Sequence, residues 1–486
     1  MGYAVPRGIG PKASPARGHC GISAGSIWVG CRLATTGGPS VMTRLGGDWR
    51  FVGVAGAWTF ADDATPHMTR YGGVVAGGRW AQIQAPRGDG RWAAGEAVSM
   101  AATDTITAIS DSISRRPPEG VLVISNAASL GAPEELVGRL MEQAVGSLDL
   151  FALYLGEQLG YYRALHEGGA ATSVELAART GTVERYAREW LEQQATTGLL
   201  MVDNAAAAPH ERRFSLPAGY EQVLVDPHSP MFFAPIGRLL VGSGIQGPAL
   251  VEAYRRGGGV SWAQFGDLAR TAQSDFNRPF FEISLVDGYL SQIPEVRTAL
   301  SQPGARVAEV GCGGGWASIA IAQGYPGAAV DGFDIDGPSV EMARQNALGA
   351  GVEARVHFHA SDAAALEATG AYDLVCAFEC VHDMPDPVSV LHAMRGMARP
   401  GGTVLVMDER VGESFGNFGD LLERFFYGVS IVMCLPDGLS HMPSVGTGTV
   451  MRPATLRAYA QAAGFQDIEV LPLEHELFRF YRLVAP

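Results

Sequence analysis

Polar side chains that could do chemistry follow three successive apolar segments in the C-terminal half of the chain. Asp334 ends the segment 328–333, 23 residues after Gly311, and a carboxylate in that place can accept both hydroxyls of a ribose. Asp362 ends the next segment and can accept an adenine amine. His382 follows a third segment, and its imidazole, which titrates near neutral pH, can take a proton from a hydroxyl. These residue types predict a nucleotide site beside a proton acceptor.

A glycine-rich loop precedes these side chains. The apolar residues 306–310 predict a short buried strand, Gly311, Gly313 and Gly315 follow it, and helix-forming residues come next. Such a unit opens a doubly wound α/β domain, in which a ligand approaches the backbone at the carboxyl edge of the sheet. Trp316 stands where the dinucleotide fingerprint requires a small residue, and the Lys-Ser or Lys-Thr pair of a P-loop is missing. Neither motif therefore accounts for the loop.

Strands and helices continue to alternate after the loop. The helix that follows the second predicted strand has Pro338 in its first turn. The predicted strands cover residues 306–310, 328–334, 355–359, 372–378 and 403–407, and more strands follow between 471 and 483. This alternation predicts a mostly parallel sheet with helices on both faces.

Several of these segments together resemble the class I S-adenosylmethionine-dependent methyltransferases. They are Glu309-Val310-Gly311-Cys312-Gly313-Gly314-Gly315, Asp334, Asp362-Ala363, Phe378 and Arg399-Pro400-Gly401-Gly402. The resemblance covers roughly the last 190 residues, the size of one ordinary domain. It implies a Rossmann-like domain at residues 301–486 that binds S-adenosylmethionine. An α/β domain that binds another nucleotide is the alternative.

The resemblance also implies a set of cofactor contacts. By this likeness the loop glycines border the methionine part of the cofactor, an acid before them organises the loop, and Asp334 holds the ribose. Asp362 and the amide of Ala363 contact the adenine, whose face Ile335 could cover. The predicted cofactor-binding residues are Glu309, Gly311, Gly313, Gly315, Asp334, Ile335, Asp362, Ala363 and Phe378.

His382 and Asp383 are the predicted catalytic residues. The segment Val381-His382-Asp383-Met384 resembles the His-Asp-Trp segment of winged-helix O-methyltransferases, whose histidine is the general base, although Met384 replaces the aromatic residue. In-line methyl transfer needs alignment and a deprotonated nucleophile, and the sequence predicts no metal site. The alternatives are that His382 caps the next helix and that Asp383 faces solvent. His441 is a second, weaker candidate base.

Residues 133–225 predict a winged-helix module. Apolar residues recur at helical spacing in its first part, Thr172 and Glu175 form a capping box, and residues 199–202 and 213–216 suit a two-stranded wing. The module holds 13 acids against 7 arginines, so it is poorly suited to neutralising DNA phosphates. In small-molecule O-methyltransferases a segment of this kind serves dimerisation, and by that resemblance we expect a homodimer.

Composition limits the reading of the rest of the chain. The 486 residues carry a net charge of -14, which disfavours broad binding to nucleic acids or anionic membranes. The six cysteines form no C-x-x-C pair, and no apolar run reaches the roughly 18 residues of a membrane span, so a reduced cytoplasm is expected. Residues 226–300 predict a helical linker. Residues 1–125 predict a disordered or loosely folded extension, or a start codon set upstream of the real one.

The sequence therefore favours an enzyme that methylates a small molecule, with a hydroxyl as the preferred acceptor. The aromatic-rich residues 409–451 would form a wall of the acceptor site, or else pack in the core or at a dimer interface. A transcriptional regulator that keeps the methyltransferase fold as a ligand sensor is the alternative from another class. Methylation of a protein or an RNA is a third option, and the acidic charge disfavours RNA.

Overall fold

The computed structural model describes residues 41–45, 48–52, 71–76, 79–84, 132–366, 369–416 and 420–486. The first four ranges are strands of two antiparallel hairpins, β1 (Val41–Leu45) with β2 (Asp48–Val52) and β3 (Tyr71–Ala76) with β4 (Arg79–Gln84). They fall in one of the two units into which the chain divides, and the other described residues fall in the second unit, residues 126–486. The rest of the predicted extension lies outside the described residues, so its disorder stays a prediction.

Four helices and a short hairpin begin the second unit. They are α1 (Pro133–Gln158), α2 (Tyr161–Gly168), α3 (Ser173–Thr180), α4 (Glu184–Thr196), β5 (Met201–Val202) and β6 (Phe214–Ser215). The predicted capping box is confirmed, since the Thr172 hydroxyl accepts the Glu175 amide hydrogen and the Glu175 carboxylate accepts that of Thr172. The predicted wing is present too, as β5 pairs antiparallel with β6.

A run of helices occupies the predicted linker. It consists of α5 (Glu221–Leu224), α6 (Pro235–Ile245), α7 (Gly247–Arg256), α8 (Trp262–Pro279), a π-helix (Phe280–Tyr289), a 3-10 turn (Leu290–Gln292) and α9 (Pro294–Leu300). Arg238 on α6 is 7% exposed and ties two of the neighbouring helices together. Its guanidinium lies 2.9 Å from the Glu157 carboxylate on α1 and 2.7 Å from that of Asp275 on α8.

A seven-stranded sheet follows. The five strands predicted between residues 306 and 407 are confirmed, although the fifth is longer and covers 398–409. Of the strands predicted between 471 and 483, one lies at 478–484, whereas the other lies at 467–470, ahead of the predicted range. The strands are β7 (Arg306–Val310), β8 (Ala329–Asp334), β9 (Val356–Ala360), β10 (Tyr372–Phe378), β11 (Ala398–Glu409), β12 (Asp467–Val470) and β13 (Phe478–Val484). Their order is β12-β13-β11-β10-β7-β8-β9. Within this sheet β13 alone runs antiparallel to its neighbours.

Helices cover both faces of this sheet. They are α10 (Trp316–Gly324), α11 (Gly337–Gly349), α12 (Pro387–Met397), α13 (Leu421–Val429), α14 (Leu435–Gly438) and α15 (Pro453–Ala462), with a second π-helix at Ser430–Cys434. Side chains of β7 alternate between the two cores, with Val307 in one and Ala308 in the other. The strand order reverses at β7, which has β8 on one side and β10 on the other, and ligands bind at such a point.

Aromatic residues that precede β7 in the chain pack on the end of the seven-stranded sheet. The ring of Phe280 lies 5.6 Å from that of Tyr289 and 4.9 Å from that of Phe478 on β13, measured between centroids. Phe281 is buried and faces the ring of Phe378 at 6.2 Å. These contacts join the first π-helix to the sheet.

In the part of the chain that the structure describes, no helix is both long enough and apolar enough to cross a bilayer.

Candidate functional site

The loop between β7 and α10 lies at the carboxyl edge of the sheet, beside the end of β10. Gly311 has a φ of +70°, and a Cβ at this position would lie 2.6 Å from the Cys380 sulfur. Gly313 has a φ of +50°, and no atom comes within 4 Å of its Cβ position. Packing thus requires glycine at position 311, whereas the space beside Gly313 lets a ligand approach the backbone.

The other loop glycines also meet protein atoms. A Cβ at Gly314 would overlap the Ser274 hydroxyl, and a Cβ at Gly315 would lie 2.5 Å from the ring of Phe358. The expectation that these glycines exist to admit a ligand therefore needs correcting for Gly311 and Gly315, because protein side chains occupy the space in question. Within this loop the open approach is at Gly313.

Asp334 joins the second strand to the glycine loop. One oxygen of its carboxylate accepts the Gly313 amide hydrogen at 2.8 Å, and the other accepts that of Asp336 at 2.9 Å. Burial raises the pKa of Asp334, and these two amides oppose the rise. Each oxygen still has a lone pair for a hydroxyl donor. The structure therefore places Asp334 where the sequence predicted it, facing the loop across the strand ends.

A salt bridge from the linker helices holds Asp336, the residue whose amide donates to Asp334. Arg270 on α8 is 5% exposed, and its Nε lies 2.7 Å from the Asp336 carboxylate. Asp336 also caps α11 by accepting the Ser339 amide hydrogen at 2.9 Å. Although burial raises the pKa of Asp336, the hydrogen bonds from Arg270 and Ser339 hold it below its usual value. Helix α8 is thereby anchored beside Asp334.

Two predicted cofactor residues are buried beneath the loop. Glu309 is 3% exposed, its carboxylate accepts the Ser318 hydroxyl hydrogen from α10, and burial raises its pKa to about 8. It therefore connects β7 to α10, and its implied role of organising the loop stays a prediction. Phe378 is 4% exposed and packs in the core against Phe281. Direct contact of either side chain with a cofactor stays a prediction.

The predicted adenine contacts lie at the ends of β8 and β9. Ile335 is 63% exposed and so is free to cover a flat ring. Asp362 is exposed, and its carboxylate accepts the Ala364 amide hydrogen at 2.9 Å, which begins a 3-10 turn. Ala363 lies in that turn and is buried. Together with Asp334, these residues line one side of the sheet edge.

We call the place at β7 where the strand order reverses the switch point. His382 lies on the other side of it, in a short 3-10 turn after β10. It is 2% exposed. Its Nδ1 lies 2.8 Å from the carboxylate of Asp408 and 3.0 Å from that of Glu409, and its Nε2 lies 3.2 Å from that of Asp383. The ring is therefore held among three acids. The alternative that Asp383 faces away from His382 does not hold in this structure, and His441 is exposed.

The acids around the ring determine its charge. Burial by itself lowers the pKa of His382, but the charges of Asp383, Glu409 and Asp408 outweigh burial and hold this pKa well above its ordinary value. Burial would also raise the pKa of Asp408, which the His382 charge and hydrogen bond bring below its usual value. Burial raises the pKa of Glu409. These directions favour an imidazolium paired with an ionised Asp408, next to a Glu409 that holds its proton more tightly than a free carboxyl does.

The same groups could in principle hold a metal ion. The ligand atoms of His382, Asp408 and Glu409 lie within 4.8 Å of one another, as do those of His382, Asp383 and Cys434. A metal would need a lone pair on an imidazole nitrogen, whereas Nδ1 of this ring is hydrogen-bonded to the Asp408 carboxylate at 2.8 Å. That the site works without a metal stays a prediction of the sequence.

The aromatic-rich insertion divides into two parts. Phe426, Met433 and Met451 are buried, so core packing accounts for them. Phe415 is 71% exposed and lines a surface cavity of about 380 Å³ with Tyr427. Residues 417–419 of the insertion lie outside the described residues. The predicted wall of an acceptor site therefore applies to the exposed part alone, and there it stays a prediction.

Several residues of the site escaped the sequence analysis. Asp408 and Glu409 end β11 at the same edge as the other acids, and a predicted strand that ended at 409 instead of 407 would have pointed to them. Glu379 follows Phe378 directly, and its carboxylate accepts a hydrogen bond from Asn277 at 3.1 Å. Asn277 gave no signal, because its partner lies 102 positions later in the chain.

Comparison with known proteins gives matches to both parts of the second unit. The family described as "Methyltransferase domain" matches residues 301–426, and the family described as "Rv2258c-like winged HTH domain" matches residues 148–225. A ubiquinone biosynthesis O-methyltransferase of Bordetella bronchiseptica is 31% identical over 193 residues, which cover 39% of this chain and 73% of that protein. An enzyme of the same name from Xanthomonas euvesicatoria is 30% identical over 184 residues, or 38% of this chain and 72% of that protein.

Solved structures share the fold over both parts. The mitomycin 7-O-methyltransferase MmcR has a TM-score of 0.52 and 22% identity, with 73% of this chain and 98% of that chain covered. Human N-acetylserotonin methyltransferase, solved in complex with S-adenosylmethionine, has a TM-score of 0.53 and 18% identity, with 74% and 99% covered. At such identities the likeness establishes the architecture, a winged-helix part followed by a class I sheet.

Proposed function

Since this chain belongs to the S-adenosylmethionine-dependent methyltransferases, we propose that it methylates a hydroxyl of a small-molecule acceptor, with His382 as the general base. The observation that carries the proposal is the sheet edge on which the open Gly313 backbone and the Asp334 carboxylate lie on one side and the His382 cluster on the other. The relatives with the higher identities are O-methyltransferases, and this favours oxygen as the methylated atom.

The residues on the cofactor side fit S-adenosylmethionine. Gly313 leaves the space that its methionine part would need, Asp334 has lone pairs for the ribose hydroxyls, and exposed Ile335 and Asp362 suit the adenine. When bound, the cofactor supplies a methyl group on a sulfonium for in-line displacement. The protein's part is to hold both reactants in line and to take the proton of the acceptor.

His382 would take that proton through Nε2. In the neutral ring Nδ1–H donates to Asp408, which orients the imidazole and leaves the Nε2 lone pair on the side of Asp383. A carboxylate facing a lone pair is unfavourable, so without an acceptor the ring holds a second proton, in line with its raised pKa. The acceptor hydroxyl would replace Asp383 at Nε2. Asp383, whose side chain is 33% exposed, has room to move aside.

Calorimetric titration with S-adenosylmethionine and S-adenosylhomocysteine tests the cofactor half of the proposal. We expect both to bind, and we expect Asp334→Ala to weaken both by about tenfold or more, because it removes hydrogen bonds to a charged group. Asp287→Ala, at an exposed carboxylate of the same unit, is the matched control and should bind as the parent does. If the parent protein binds neither ligand, the proposed function is wrong.

We also propose that the chain forms a homodimer through α1. This helix of 26 residues exposes a row of apolar side chains, among them Leu136, Leu140, Met141, Val145 and Leu148, each at least 47% exposed. Contiguous apolar surface of this kind marks an interaction site. A second copy of the chain is the occupant we favour, because in the O-methyltransferases that this chain resembles a winged-helix segment serves dimerisation.

Light scattering on two charged variants tests the dimer. We expect the parent chain to have twice the monomer mass, and the double variant Met141→Glu, Leu148→Glu to be a monomer that still binds the cofactor. Val174→Glu, at an exposed apolar residue of α3, should stay dimeric. A monomeric parent chain would rule out this interface.

Ion pairs within the winged-helix part disfavour DNA as a partner. Arg188 pairs with Glu184 at 3.3 Å, Arg212 pairs with Glu192 at 2.7 Å, and Arg185 pairs with Glu189. Arginines that already face carboxylates offer little to phosphates, on which DNA affinity depends. This supports the enzyme over the regulator.

A further inference from the structure

Glu379 is a carboxylate at the sheet edge that the proposed reaction does not yet use. It follows β10 directly, with its amide bonded to the Met407 carbonyl at 2.8 Å. Its φ of +54° lies in the left-handed region, and among the described residues it is the one non-glycine with a positive φ. Such a conformation costs on the order of 1–2 kcal/mol and is typically found at functional sites.

The side chain of Glu379 has one partner and one free oxygen. Its Oε2 accepts the amide hydrogen of Asn277 from α8 at 3.1 Å, whereas its Oε1 is buried without a hydrogen-bond partner. An unpaired buried carboxylate oxygen is costly, and a cationic ligand group would satisfy it. The charge of His382 acts on this carboxylate, but the His382 ring already faces three other acids.

The position of Glu379 relates it to the glycine loop. Strands β10 and β7 are neighbours, with Ala377 beside Val310, so the residues that follow both strands lie side by side. A Cβ at Gly311 would lie 2.8 Å from the Cβ of Cys380, the residue after Glu379. On the other side, α8 carries both Asn277 and the Ser274 hydroxyl that packs on Gly314. Glu379 therefore borders the part of the loop assigned to the methionine half of the cofactor.

Resting on the proposed function, we propose that Oε1 of Glu379 binds a cationic group of the cofactor's methionine half, with Asn277 positioning the carboxylate. The two candidate groups are the α-ammonium and the sulfonium, which share the same chemistry toward a carboxylate. Asp334 then binds the ribose of the cofactor, and the glycine loop borders the rest of its methionine part. Glu379 thereby recognises a positive charge of the cofactor, whereas Asp334 recognises its ribose hydroxyls.

The charge of Glu379 offers a second readout. Burial raises the pKa of Glu379 to about 8, the charge of His382 opposes the rise, and the charges of Asp408 and Asp383 add to it. Without ligand the carboxyl is thus mostly protonated at neutral pH. A cation beside Oε1 favours the ionised form, so cofactor binding near pH 7 should release a proton into the buffer.

Three ligands distinguish the two cationic groups. S-adenosylmethionine carries both, S-adenosylhomocysteine carries the ammonium alone, and 5′-methylthioadenosine carries neither. We expect Glu379→Gln to weaken the first ligand by about tenfold to a hundredfold, the range for a lost charge-assisted hydrogen bond, and to leave the third unchanged. Equal loss for the first two identifies the ammonium, and a larger loss for S-adenosylmethionine identifies the sulfonium.

Calorimetry in buffers of different ionisation enthalpy measures the proton. The parent should release it on binding S-adenosylmethionine, and Glu379→Gln should release less. Glu353→Gln, at an exposed glutamate of the same domain, is the matched control. If Glu379→Gln unfolds, Glu379→Asp keeps the charge at a shorter reach and should weaken S-adenosylmethionine while sparing 5′-methylthioadenosine.

Two results would overturn the inference while leaving the proposed function intact. One is a Glu379→Gln variant that binds S-adenosylmethionine within twofold of the parent. The other is an equal loss for all three ligands, which would mean a structural role. Failure of the parent to bind any of the three would instead overturn the proposed function itself.

Discussion

The two sides of the switch point satisfy their acids in different ways. On the glycine-loop side, Asp334 and Asp336 accept backbone amide hydrogens, and Arg270 completes the pairing. On the histidine side, Asp408 keeps one oxygen without a hydrogen-bond partner, and a single imidazole faces three carboxylates. The first side is organised before a ligand arrives, whereas the second holds charges whose pairing depends on protons.

This difference matches the work proposed for each side. A cofactor bound the same way in every cycle suits rigid backbone donors, which lose little on binding. A proton acceptor has to change its charge during the reaction, and buried acids without full pairing make that change sensitive to pH. The four predictions that follow separate the two sides, beginning with the largest expected effect.

Replacing the imidazole should affect turnover alone. We expect His382→Gln to lower the rate of methyl transfer by about a hundredfold or more, because it removes the proton acceptor, and to keep S-adenosylmethionine affinity within twofold. Steady-state rates and calorimetry measure the two effects, and His357→Gln, at an exposed histidine of the same domain, is the control. Unchanged turnover with a true acceptor would remove His382 from the mechanism.

The rate of methyl transfer should rise with pH. The acids around His382 hold its pKa above the ordinary value, so the neutral ring that can accept a proton becomes more abundant as pH rises through that raised pKa. Below that pKa we expect kcat to increase by about tenfold per pH unit, the slope for one essential deprotonation. Cofactor affinity, measured over the same range, should follow a different profile. A kcat that is flat between pH 6 and 9 would contradict a general-base role for His382.

Two glycine substitutions should separate ligand space from packing. At Gly311 an added Cβ meets the Cys380 side chain, so Gly311→Ala should lower the free energy of unfolding by about 2–3 kcal/mol, from backbone strain and overpacking together. At Gly313 the space is open, so Gly313→Ala should cost about 1–2 kcal/mol of strain and weaken cofactor binding. Denaturant unfolding and calorimetry measure both. Equal stability with lost binding in both variants would show that ligand contact, and not packing, requires Gly311.

Stability should depend on pH through the same histidine. Because the pKa of His382 is higher in the folded chain than the roughly 6.5 of an unfolded chain, its contribution is fully present below that value. The contribution is lost as pH rises through the folded pKa. We therefore expect the unfolding midpoints of the parent and His382→Gln to converge toward alkaline pH. A difference between them that grows with pH would contradict the raised pKa.

Local sequence patterns were sufficient for the sheet and for the cofactor side. Alternating apolar runs located β7 to β11, and the glycines and Asp334 are close in sequence to the strands that carry them. The residues that the patterns missed are paired over long separations. Arg270 meets Asp336 across 66 positions and Asn277 meets Glu379 across 102, so no local spacing could signal either contact.

The sequence by itself determined which strands exist, where the glycine loop lies and which acids end the strands, because each of these depends on neighbouring residues. The tertiary structure decided which glycines serve packing and which admit a ligand, since Cys380 follows β10 and Phe358 belongs to β9, both distant from the loop in the chain. It also decided the charge of His382, for a pKa depends on burial and on the acids that folding brings beside the ring. The order of residues determines which titratable groups are present, and only packing determines the burial and the neighbouring charges that set their pKa values.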